Sequence, residues 1–225
     1  MVIGITGGIG SGKSLVTKLL QAKFGAAVID TDTVGHEVME IGTKAYYEIV
    51  DVFGKEVLSK DKSVDRKILG DKVFGNEALL TKLNNIIHPA VEAEVDKRIE
   101  DFIKKNYKYI ALETALLIKV GYNSKCDKVW YVYADKDVRL KRLYYNRGLD
   151  RVKTSMIIDN QNSDEEYRKV ADEVIDNSGT EEETLAQIKN ILEIDNLNRI
   201  ECYDISNISG DFNVGSMVVY KNGFK

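Results

Sequence analysis

The 225-residue sequence is poor in cysteine and proline, lacks any long apolar run, and carries charges that nearly cancel. Its two cysteines, Cys126 and Cys202, lie far apart and without metal-ligand spacing. That excludes a disulfide scaffold and a thiolate metal cluster, and it fits a reducing compartment with buried thiols. A formal charge of −4 argues against generic, charge-driven binding to nucleic acid by the body of the protein. No apolar stretch approaches the roughly 20 residues that span a bilayer. Val2 to Ile5 is too short for the core of a signal peptide. A cytoplasmic location without a membrane partner is the expectation, and composition leaves the oligomeric state open. The remainder, 44% hydrophobic and 30% charged, is ordinary globular composition at a length that can bury a sizeable core.

Short β-rich runs alternate with longer helical patterns, which predicts an α/β fold: a parallel sheet flanked by helices. Strands are read at VIGIT, AAVID, KYIALET, DKVWYVYA and DEVIDN. Leu15, Val16, Leu19, Leu20 and Phe24 fall on one helical face, and Val91, Val95, Ile99, Phe102 and Ile103 draw another stripe. Pro89, the only proline, suits the first turn of that second helix, where a missing amide donor costs little. Thr180 and Glu183 form a capping box before the apolar positions Leu185, Ile188, Ile191 and Leu192. Between the second and third strands lies far more helical pattern than one crossover needs. The excess predicts a helical insertion able to hold an acceptor substrate.

Glycine is concentrated where proline and cysteine are missing. From Gly7 to Ser14, six of eight residues are glycine or serine. Gly7, Gly12, Lys13 and Ser14 satisfy G-x-x-x-x-G-K-[ST], with a strand before and an amphipathic helix after, as a phosphate-binding loop requires. Bare backbone at Gly8, Gly10, Ser11, Gly12, Lys13, Ser14 and Leu15 can turn successive N–H groups toward an anion. The following helix adds its positive dipole end. Lys13 is placed to reach the β- and γ-phosphates of a nucleoside triphosphate, and Ser14 to ligate Mg²⁺.

The loop alone does not choose a reaction. Asp32 to Gly35 spells D-x-x-G, but no N-K-x-D or T-K-x-D guanine-reading sequence accompanies it. YIALET carries Glu113 next to its end without the second acid of an ATP-driven motor. A small kinase needs a base near the acceptor hydroxyl, an acceptor-holding insertion and a basic lid. Asp30 and Asp32, at the end of the second strand, are candidates for the base or for helping to hold Mg²⁺, with a helix N-cap as the competing structural role for either. DVRLKRLYYNRGLDR supplies Arg139, Lys141, Arg142, Arg147 and Arg151 as lid cations. His88 is read as a capping or packing residue ahead of a catalytic one.

GITGGIGSGKS, VIDTD, VDR, IIHP, RLYYNRGL and ADEVIDNSG, in this order and spacing, resemble the dephospho-CoA kinase family. The resemblance runs from Met1 to about Ile194. It implies a P-loop kinase fold and ATP-dependent phosphorylation of the ribose 3′-hydroxyl of dephospho-CoA, with Mg²⁺. It implies a nucleotide core (1–31, 105–135 and 170–194), a helical acceptor-binding insertion (32–104) and a lid (136–169). It also implies Asp32 as catalytic base, Lys13 and Ser14 as phosphate and Mg²⁺ groups, and Asn177 at the adenine-side loop. The chain departs from the family pattern at Ala115–Lys119, where PLLFE is usual, and at His36, where arginine is frequent. Glu113 stands in place of a shorter acid. Asn146, Arg147, Gly148 and Leu149 replace R-D-G-L, so Arg142 is the lid arginine expected to act.

Residues 195–225 differ in character. IECYDIS and GSMVVYKNG alternate as strands of a hairpin. They resemble the opening of the RNase H-like domain of an excision-repair nuclease family, in which the residue matching Asp204 is a metal-binding carboxylate. Two strands do not make an independently stable domain, so an inert β-rich extension is expected.

Overall fold

The computed structural model describes residues 1–114, 121–148, 150–195, 199–208 and 212–221. It divides into two compact units, Met1–Gly179 and Thr180–Lys225. In the first, β1 (Val2–Thr6) leads through the glycine loop to α1 (Lys13–Phe24) and β2 (Ala27–Asp30). Four helices follow: α2 (Thr31–Glu37), α3 (Lys44–Phe53), α4 (Arg66–Val73) and α5 (Glu77–Lys104). The chain then returns through β3 (Ile110–Glu113) and β4 (Lys128–Tyr133). α6 (Lys136–Arg147), α7 (Arg151–Asp159) and α8 (Asp164–Val170) precede β5 (Glu173–Asp176).

The five strands pair in the order β2-β3-β1-β4-β5, and every pairing is parallel. A parallel sheet covered on both faces wants continuous apolar strands, and all five residues of β1 are buried, as are Ile29, Ile110, Leu112, Trp130 and Ile175. Parallel pairing also brings the strands' C-terminal ends to one edge, where Asp30 and Ile5 are both in register with Glu113. α1 closes at Gly25, whose left-handed backbone (φ 64°) lets its N–H return to the last turn.

The helical insertion has a core of its own, formed by Ile49, Phe53, Val57, Leu69, Val73 and Leu83. α5 links it to the sheet: Leu83 belongs to the insertion core, whereas Val91 and Val95 join Ile29, Val34 and Leu112. This corrects the expectation for Pro89. The helix begins at Glu77, not at Pro89, and the proline lies in its interior. Proline cannot donate to the Asn85 carbonyl one turn back, a loss on the order of 3 kcal/mol. The helix continues because Asn76 caps its start, its Oδ1 accepting from Leu79 N–H at 3.1 Å, and because apolar residues are buried on both sides of the proline. D-x-x-G, at Asp32 to Gly35, lies within helix α2 and is not a switch loop.

In the second unit α9 (Glu181–Asp195) opens on the expected capping box. Thr180 N–H donates to Glu183 Oε2 at 2.8 Å, and Glu183 N–H to Thr180 Oγ1 at 3.2 Å. β6 (Arg199–Ile208) and β7 (Phe212–Lys221) pair antiparallel, with Asp204 opposite Ser216. Among the described residues no helix is long and apolar enough to cross a membrane.

Candidate active site

The glycine loop emerges where β1 ends and wraps the start of α1. Gly12 has φ 95°, a region that favours glycine, and a Cβ there would collide with the Asn177 amide. At Gly8 a Cβ would strike the Arg139 guanidinium and Gln161. The glycines therefore serve two ends: they bare N–H groups in front and admit supporting side chains behind.

In front lies a cavity of about 490 Å³ lined by the loop together with Asp30, Asp32, Glu113, Arg142 and Gln161. Lys13 Nζ donates to the carbonyls of Gly7 (2.9 Å) and Gly8 (3.4 Å), which holds its charge over the loop. Ser14 Oγ donates to Glu113 Oε1 and Thr17 Oγ1 to Glu113 Oε2, each at 2.9 Å. Both carboxylate oxygens of Glu113 are thus fixed, and the Ser14 oxygen keeps its lone pairs for another partner. Among the described residues no cluster of three or more His, Cys, Asp or Glu is assembled to hold a metal. The side chains on this rim able to face a cation offer oxygens, which suits Mg²⁺. Ser14 Oγ could hold it directly, with Glu113 accepting the Ser14 hydroxyl hydrogen.

Of the two carboxylates considered, Asp30 takes the capping role. Asp30 is the N-cap of α2: its Oδ1 accepts from Asp32 N–H at 3.0 Å and its Oδ2 from Thr33 Oγ1 at 2.7 Å. Asp32, one residue into the helix, is exposed and lines the loop's cavity. It also lines a second cavity of about 370 Å³, walled by His36, Met39, Ile87, His88, Val91 and Tyr122. His88 is therefore a wall residue within α5, not a cap before it. Arg66, first residue of α4, brings its Nη1 against His36 Nε2.

Arg142 reaches the loop from α6, its Nη1 donating to Ser11 O at 3.3 Å and its Nη2 to Asn177 O at 2.8 Å. Burial pulls its guanidinium below the usual arginine range. Asn177 is 1% exposed and donates through Nδ2 to Ser11 O at 2.7 Å. It supports the loop from behind and is not part of the cavity wall. Leu15 is half-buried and likewise off the wall. Ala115–Lys119, Leu149 and the side chains of Asn146, Arg147 and Arg151 fall outside the described residues.

Sequence reading reaches Glu113 only as the longer replacement of a family acid and Arg139 only as a lid cation, and it does not reach Gln161. The strand-end position of Glu113 was a usable signal, because a carboxylate leaving a buried parallel strand beside a phosphate loop has few structural reasons to be there. Nothing in the sequence marks Gln161, 152 residues from its partner Ile9.

A five-stranded parallel sheet, a phosphate loop after its central strand, and two cavities meeting at one carboxylate define a P-loop kinase acting on a small molecule. The profile of the family described as dephospho-CoA kinase matches residues 1–183, and the chain belongs to that family. A second profile, described as the UvrC RNAse H endonuclease domain, matches residues 189–225. The dephospho-CoA kinase of Carboxydothermus hydrogenoformans is 41% identical over 192 residues, covering 85% of this chain and 93% of the relative. That of Oceanobacillus iheyensis is 38% identical, covering 86% and 96%. Among solved structures, dephospho-CoA kinase from Campylobacter jejuni superposes with a TM-score of 0.65 at 28% identity, covering 86% of this chain and 96% of its own. TT1252 from Thermus thermophilus gives 0.75 at 28% identity, covering 87% and 97%. Shikimate kinase from Acinetobacter baumannii, at 0.51 and 17% identity over 87% and 94%, shares the fold.

Proposed function

We propose that the protein transfers the γ-phosphoryl group of ATP to the ribose 3′-hydroxyl of dephospho-CoA, giving coenzyme A. The observation that carries this reading is Asp32, which lines both the phosphate-loop cavity and the cavity beneath the helical insertion. A hydroxyl in the second cavity can there give its proton to a carboxylate as it meets the γ-phosphate in the first. Lys13, the loop N–H groups and Arg142 stabilise charge on the transferring group. When bound, Mg²⁺ would supply neutralisation of the phosphate charge. Ser14 would hold it, and Glu113 would fix the Ser14 rotamer. His36 and Arg66 place cationic or proton-donating groups near the acceptor cavity, where the diphosphate of dephospho-CoA needs a partner. In this reading residues 32–104 are the acceptor-binding insertion and 136–169 the lid, the enzyme works in the cytoplasm, and residues 195–225 take no part in turnover.

The test mixes protein, ATP, Mg²⁺ and dephospho-CoA and looks for coenzyme A by mass. Its formation, abolished when Lys13 is replaced by alanine, supports the reading. ATP binding by folded protein without any coenzyme A would overturn the acceptor assignment, and phosphorylation of another nucleoside-like alcohol in its place would redirect it.

A further inference from the structure

At the loop's apex a ring of three hydrogen bonds closes on a single residue, Ile9. Its N–H donates to Gln161 Oε1 at 2.9 Å, and its carbonyl accepts from Arg139 Nε at 2.8 Å. Arg139 Nη2 completes the ring by donating to the same Gln161 Oε1 at 2.8 Å. Gln161 follows α7, and Arg139 lies in α6 three residues before Arg142, on the same helix face. The two arginines grip carbonyls on either side of Gly10, and Gly10 itself packs against Arg139 O and Leu143.

We propose that Arg139 and Gln161 are positioning residues that lock the Ile9 peptide and so set the loop for nucleotide. Arg139 forms no salt bridge among the described residues, and its hydrogen bonds go to two neutral oxygens. Its surroundings are aromatic, with Tyr131 and Tyr167 stacked at 4.8 Å between centroids, and burial pulls its guanidinium below the usual arginine range. Asp159 favours the charge from a distance without bonding to it, and the cation at the base of the loop gains a nearer anion when phosphates arrive. The ring also fixes which way one peptide faces. With its N–H bound to Gln161 and its carbonyl to Arg139, Ile9 cannot rotate its oxygen toward a phosphate. Both residues hold the loop, and Gln161 also lines its cavity, so their effect belongs in nucleotide affinity and not in the chemical step.

The inference rests on the loop binding ATP, which calorimetry on the unaltered protein checks without any acceptor. Arg139→Met should then weaken ATP by about 10- to 100-fold, the worth of one or two charged hydrogen bonds. At saturating ATP, kcat and the KM for dephospho-CoA should stay within about threefold, because those groups lie elsewhere. Gln161→Met should weaken ATP by a similar factor, and the double variant by little more than either, because each breaks the same ring. Should Arg139→Met fail to fold, Arg139→Gln retains a donor for the Ile9 carbonyl without the charge and should still weaken ATP by about tenfold. Unchanged ATP affinity in a folded variant would overturn the proposal, as would fully multiplicative effects in the double. A variant that lowers only melting temperature would reduce Arg139 to packing.

Discussion

Asp30 and Asp32 stand two residues apart, and replacing each in turn separates positioning from chemistry. Asp30→Ala removes two hydrogen bonds at the start of α2, those from Asp32 N–H and Thr33 Oγ1. Loss of an aspartate N-cap costs about 1 kcal/mol, which for a unit of this size lowers the melting temperature by about 2–4 °C. Turnover should fall by about tenfold or less, since Asp32 keeps its carboxylate and loses only the anchor of its own N–H. Asp30→Asn retains an acceptor and should recover most of both losses. Asp32→Asn should leave the melting temperature within about 1 °C, because Asp32 is exposed and caps nothing. It should cut kcat by about 10²- to 10⁴-fold, the usual reach of a general base, while ATP affinity stays near normal. Calorimetric melting and coenzyme A formation at saturating substrates read the two effects apart. If Asp30→Asn lost as much turnover as Asp32→Asn, the proton would be going to Asp30 and the division of roles would be wrong.

Pro89→Ala restores a donor for the Asn85 carbonyl, and the gain should exceed the freedom it gives the unfolded chain. A rise of about 1–2 kcal/mol is expected by denaturant melting, and a fall would show that ring packing outweighs the missing bond. Arg98 donates to Glu94 at 2.8 Å and also meets Glu37, tying α5 to the end of α2. The hydrogen bond from Arg98 holds the Glu94 carboxyl below its ordinary value of 4.5. That contribution is complete above the ordinary value and is lost as pH falls through the lower folded one. Arg98→Met should therefore flatten the decline in melting temperature between about pH 5 and 3, and an unchanged slope would count against the tie. Removing residues 195–225 should leave kcat and both KM values within about twofold, since no site residue lies there; a collapse in turnover would make the extension integral.

Much of this was legible because local chemistry and tertiary role agree. A loop of glycines between a buried strand and an amphipathic helix has one common use, and four-to-six-residue apolar runs spaced by helices have one common sheet. Pro89 misled because the rule that places proline at a helix start weighs local hydrogen bonding only. Burial of Leu83 before it and Val91 after it outweighs that loss, and neither contact is visible one residue at a time. Asn177 was recognisable as belonging near the nucleotide. Whether its amide meets the ligand or the loop depends on Ser11, 166 residues away, and no spacing rule spans that distance. Glu113 was noticed for the acid it lacked beside it. Its partners Ser14 and Thr17 come from the other side of the insertion, and only the register of β1 on β3 brings them together.

The bond from Asn177 to Ser11 also has a meaning for synthesis of the chain. The phosphate loop is made well before its rear support, which is not translated until 166 residues later. At about 5–20 residues per second that interval is roughly 10–30 s, during which a nascent chain displays a complete P-loop motif without the brace behind it. The loop's rear support is thus complete only once β5 has joined the sheet.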